Sequence, residues 1–118
     1  MWATRAPRRS RTTAASSHFL IGLEGEIICN VPLDEIAYCT GPRNGDTISI
    51  ECCHPDDTGA FTQATYDSLV RLVRWLMEEY HLDADQVIRH YDVTGKECPL
   101  YYVRNPQAWD DFLSDLKE

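Results

Sequence analysis

Apolar residues recur along this chain with two periods. Between His18 and Val31 they form two short β-prone runs, His18-Phe19-Leu20-Ile21-Gly22-Leu23 and Glu26-Ile27-Ile28-Cys29-Asn30-Val31, separated by Glu24-Gly25. A short polar break with glycine between two such runs predicts a β-hairpin. Residues 32–46 are interrupted by Gly41-Pro42 and Asn44-Gly45 and read as loop. Thr47-Ile48-Ser49-Ile50-Glu51-Cys52 alternates and is β-branched, which predicts a third strand, and Pro55 to Gly59 closes it with another loop.

Beyond Thr62 the period lengthens. Tyr66, Leu69, Val70, Val73, Leu76, Met77 and Tyr80 fall three and four residues apart, whereas Arg71, Arg74, Glu78 and Glu79 take the other side. This is an amphipathic helix with Thr62 as its N-cap. Gln86-Val87-Ile88-Arg89-His90-Tyr91 predicts a short fourth strand. Strand, helix, strand in this order predicts a right-handed crossover and parallel pairing of the third and fourth strands. Asn105-Pro106 opens a last helix, with Trp109, Phe112, Leu113 and Leu116 as its apolar stripe.

The chain has 118 residues, a length that fits one small domain. Its first 16 residues lack any period and read as a disordered Arg-rich tail, leaving a domain over residues 17–118. The tail is basic but no apolar run follows it, so it makes a poor secretory signal. The chain is thus read as made in the cytoplasm without a signal peptide. No apolar run has the length of a membrane span. Net charge is −8, and residues 12–118 carry 7 basic against 19 acidic residues, a net −12. Backbone binding to nucleic acid needs a basic face, so that class of partner is excluded for the body of the chain. The five cysteines, Cys29, Cys39, Cys52, Cys53 and Cys98, are odd in number and contain no C-x-x-C pair, which argues against a disulfide framework.

Candidate chemistry gathers in Arg89-His90-Tyr91-Asp92-Val93-Thr94-Gly95-Lys96-Glu97-Cys98-Pro99. His90 is expected at the C-terminal end of a strand, where α/β sheets bind ligands. The following loop can fold back and bring the Cys98 sulfur toward the His90 ring. Imidazole and thiolate are both good zinc donors. The spacing alone also suits a packed histidine and a buried thiol.

This segment resembles the C-terminal motif of the zinc-dependent N-acetylmuramoyl-L-alanine amidases, a group that includes phage lysozyme-type amidases and peptidoglycan recognition proteins. Ser16-Ser17-His18 through Ile28 resembles the first hairpin of that family, Asp34 to Tyr38 the stretch after it, and Asn44 to Glu51 its glutamate-bearing strand. The resemblance implies an α/β fold with a mixed central β-sheet and flanking helices, of the amidase and peptidoglycan-recognition type.

By the same resemblance His90 and Cys98 are zinc ligands, with Zn2+ as cofactor. Lys96 stabilises the oxyanion and Glu51 is the general base. Asp92 is a supporting or structural residue rather than a ligand. The implied reaction is hydrolysis of the amide between N-acetylmuramic acid and L-alanine in peptidoglycan, as an endolysin of phage or prophage type acting at the cell wall once released. The alternative is a non-catalytic muropeptide-binding module or an inactive remnant.

One family feature is absent. The third ligand is a histidine on an upstream first strand, and residues 1–17 contain no histidine. The chain therefore reads as N-terminally truncated, lacking that strand and that ligand. His18 is expected to pack within the sheet, His54 to lie on a loop, and His81 to supply charge at a helix end. Cys39 matches a cleft position, where a cysteine either binds metal or packs.

Overall fold

The computed structural model describes residues 2–4, 11–13, 17–33, 35–37 and 47–117, the first, second and fourth of these as backbone only. The strands are β1 (Trp2–Thr4), β2 (Arg11–Thr13), β3 (Phe19–Ile21), β4 (Ile27–Cys29), β5 (Glu35–Ala37), β6 (Thr47–Cys52) and β7 (Val87–Ile88). The helices are α1 (Gln63–Tyr80), α2 (His90–Thr94), α3 (Leu100–Arg104) and α4 (Pro106–Asp115), and a single 3-10 turn at Ala84–Gln86 precedes β7. The main sheet has the order β4-β3-β6-β1-β7, and β2 pairs with β5 separately. Parallel and antiparallel pairs coexist in it, which gives the mixed α/β architecture expected from the sequence.

The hairpin forms where its pattern requires it. Phe19 lies opposite Cys29 and Ile21 opposite Ile27. Gly25 turns the chain at φ +84°, and a Cβ there would meet the Ala64 carbonyl oxygen at 2.7 Å. Only glycine combines that backbone with that approach. Three hydroxyls at the start of α1 then bind the turn. Thr62 donates to the Leu23 carbonyl at 2.7 Å, Thr65 to Gly22 at 2.7 Å and Ser68 to Gly25 at 2.6 Å.

Strand β6 is the centre of the sheet, and Thr47, Ile48, Ser49 and Ile50 are all buried, so both of its faces are covered. Its Ile48 and Ile50 join Phe19 and Ile21 against Leu69, Val73 and Leu76 of α1 and Tyr102, Trp109 and Phe112 of the C-terminal helices. Each fully buried side chain of this size contributes about 1.5–3 kcal/mol. Helix α1 starts with the Thr62 hydroxyl accepting the Thr65 N–H at 3.1 Å. It stops at His81, left-handed at φ 55°, whose N–H returns to the Met77 carbonyl. Among the described residues no helix is long and apolar enough to cross a membrane.

Four features differ from the sequence expectation. Strands β6 and β7 run in the same direction but are not neighbours, because β1 lies between them, antiparallel to both. Trp2 and Thr4 are β-forming residues, and their strand satisfies ladder groups that β6 and β7 would otherwise leave open. The expected loss of a first strand is thus not what the sheet shows: an N-terminal strand fills its interior. Arg11–Thr13 is the second strand inside the stretch expected to be a tail, and it pairs in parallel with Glu35–Ala37, inside the stretch expected to be loop. The fourth strand is cut to Val87–Ile88, because a helical turn begins at His90. Asp34, Tyr38, Cys39, Gly41-Pro42 and Asn44-Gly45 lie outside the described residues.

Candidate active site

The sheet register brings the expected site residues to one end. Trp2 lies opposite Ser49 on one side and Ile88 on the other. Glu51 follows two residues after Ser49 on β6, and His90 two residues after Ile88, just past the end of β7, which runs in the same direction, so both stand at the same end of the sheet.

A helical turn, rather than a strand end, carries His90. The Asp92 carboxylate accepts the backbone N–H of Arg89 at 2.9 Å, capping α2. The same carboxylate pairs with the Arg89 guanidinium at 2.9 Å. Burial raises the Asp92 carboxyl, but the hydrogen bonds and charge of Arg89 outweigh it and hold the group below its ordinary value. Asp92 thus caps α2 and pairs with Arg89, a structural role of the kind the family resemblance implies.

The loop after α2 folds back. Gly95 ends the helix at φ 81° with its N–H on the Tyr91 carbonyl. The Tyr91 N–H in turn donates to the Cys98 carbonyl at 3.1 Å, which ties the residue after His90 to Cys98. His90 is half-buried, Cys98 is half-buried and Lys96 is exposed. Burial and the nearby Lys96 charge both lower the His90 imidazole, favouring its neutral form. A neutral ring is the one that can ligate metal.

Glu51 is exposed near the end of β6, opposite Leu20 of β3. Beside it, burial pushes the Cys52 thiol up to about 12, and Cys53, Cys98 and Glu51 are near enough to add to the rise. Burial, and then the nearby Cys52 thiol, likewise raise the Tyr102 phenol to about 12. Sequence reasoning missed Cys52 and Tyr102 as neighbours of the site, since their approach is set by packing across distant segments.

The other histidines sit elsewhere. His18 is fully buried in the sheet and hydrogen-bonded to Ser49. His54 is exposed, its ring donating to the Asp56 carbonyl at 2.8 Å. His81 caps α1 through its backbone. Among the described residues no three His, Cys, Asp or Glu side chains converge as a metal group needs. Residues 1–17 contain none of these four types, so the N-terminal strand brings no such ligand.

Comparison with known proteins agrees with this architecture. The family described as N-acetylmuramoyl-L-alanine amidase matches residues 1–100. The amidase BlyA of Bacillus subtilis (strain 168) is 31% identical over 124 residues, covering 87% of this chain and 33% of that protein. The amidase XlyA of the same organism is 34% identical over 108 residues, covering 88% of this chain and 34% of that protein. The 1,6-anhydro-N-acetylmuramyl-L-alanine amidase AmpD of Salmonella typhimurium is 34% identical over 87 residues, 67% of this chain and 46% of that protein. The chain spans about a third of the length of the two Bacillus relatives. In fold it is similar to PlyL, with a TM-score of 0.78 at 21% identity over 98% of this chain and 87% of that one. The PlyG catalytic domain gives 0.76 at 22% identity over 99% and 83%. On the match to residues 1–100 and the identity shared with several amidases, the chain belongs to the N-acetylmuramoyl-L-alanine amidase family.

Proposed function

We propose that this chain hydrolyses the amide between N-acetylmuramic acid and L-alanine in peptidoglycan, acting at the cell wall. One observation carries the reading: Glu51 and the His90–Cys98 loop stand at the same end of the sheet within a family defined by this reaction. Glu51 is the general base, whose exposed carboxylate takes a proton from the attacking water. Lys96 supplies a fixed positive charge for the oxygen that becomes anionic in the tetrahedral intermediate. Cys98 and the neutral His90 ring are the donors that would hold zinc; zinc, when bound, polarises a carbonyl and acidifies a water.

That donor set is incomplete among the described residues, and catalytic zinc sites use three protein ligands. This favours a second reading, in which the same surface binds a muropeptide without cleaving it. The deciding experiment incubates the purified protein with cell-wall peptidoglycan and measures new L-alanine amino termini and new reducing ends. New alanine amino termini without reducing ends support the amidase. Muropeptide binding without either product supports the binding module, and neither binding nor product rejects both.

A further inference from the structure

Arg89 immediately precedes the proposed ligand His90, and its side chain joins three separate elements. Its Nε and one terminal nitrogen hold the Asp92 carboxylate at 3.2 and 2.9 Å. Its other terminal nitrogen donates to the Tyr102 carbonyl of α3 at 3.2 Å. The guanidinium carbon lies 5.0 Å from the Trp109 ring centre of α4 and 5.4 Å from that of Tyr91 on α2. The Arg89 side chain is 16% exposed. Its planar fork is thus hydrogen-bonded along its edge and faced by two rings, an arrangement a lysine cannot reproduce.

We infer that Arg89 is a positioning residue for the candidate active site, a role that rests on the proposed amidase activity. By clamping the first turn of α2 onto α3 and α4, it fixes where His90 leaves the sheet. Through the Tyr91 N–H on the Cys98 carbonyl, it also fixes where Cys98 returns. Trp109 and Tyr102 are core residues, so the clamp ties the site to the packed core.

The test compares wild type, Arg89→Lys and Arg89→Ala on a soluble muropeptide, each at a temperature where circular dichroism shows it folded. Hydrogen exchange of the Tyr91 amide is followed in parallel. Both variants should lose kcat by at least about tenfold through misplacement of the reacting groups. KM should stay within about twofold, the split expected when an interaction acts in the transition state. Methylguanidinium should restore part of the rate in Arg89→Ala, and Tyr91 exchange should quicken in both variants. A folded Arg89→Lys with wild-type kcat overturns the inference. If wild type itself cleaves nothing, the amidase reading fails and exchange alone decides. Unchanged Tyr91 protection in Arg89→Ala then overturns the clamp, and lost protection upholds it.

Discussion

Ser49 donates its backbone N–H to the Nδ1 atom of His18 at 3.1 Å, and His18 returns its own N–H to the Ser49 carbonyl at 3.0 Å. The ring nitrogen acts here as a ladder acceptor, so the imidazole proton belongs on Nε2. His18→Ala would open a cavity and leave a buried N–H unpaired. We expect a loss of roughly 2–4 kcal/mol in urea unfolding. Zinc uptake per folded molecule should be unchanged, since this ring is committed to the sheet.

Gly25 combines a positive φ with a close approach to α1. Gly25→Ala should destabilise the protein by about 1–3 kcal/mol. The protection of the Ser68 and Thr65 region, read by hydrogen exchange, should fall with it.

Asp92 is held below the ordinary carboxylate value, so folding favours its charged form. The stabilisation is complete above the unfolded value of about 3.9 and disappears as pH falls through the lower folded value. The difference in urea midpoint between wild type and Asp92→Asn should therefore be largest at neutral pH and should shrink in this acid window.

Lys96 and Glu51 carry the proposed chemistry, and both are exposed, so their removal should spare stability. Lys96→Ala should lower kcat by about 10²–10³-fold, as for other oxyanion donors. Glu51→Gln should lower it by about 10²–10⁴-fold, as for a general base. An unchanged rate in either variant removes that residue from the mechanism.

Cys98→Ser replaces a soft thiolate with a weak oxygen donor. Equilibrium dialysis should show zinc binding in wild type that a chelator removes, and markedly weaker binding in Cys98→Ser. Equal zinc in both proteins would exclude Cys98 as a ligand.

The hairpin and the two long helices were legible because their periods are local. Phe19 and Ile21 alternate, and Leu69, Val73 and Leu76 recur at helical spacing, so each face announces itself within one segment. Trp2–Thr4 and Glu35–Ala37 were not legible, because three residues show no period and their pairing depends on segments far along the chain. The candidate site was legible only as a stretch resembling a family motif, not as a shape. Arg89 and Asp92, three residues apart, already spell a capped helical turn, and that signal overrules the strand pattern running into His90. The approach of Cys52 and Tyr102 had no local sign at all, since tertiary packing alone decides it.

The three hydroxyls that bind the hairpin turn reach across 39 to 43 residues of sequence. Such bonds form only once that length of chain has closed into a loop. Loop-closure entropy grows slowly, by about 0.6 kcal/mol for each doubling of length. Closing the joint between hairpin and helix thus costs chain entropy, and the three hydroxyl bonds help offset that cost.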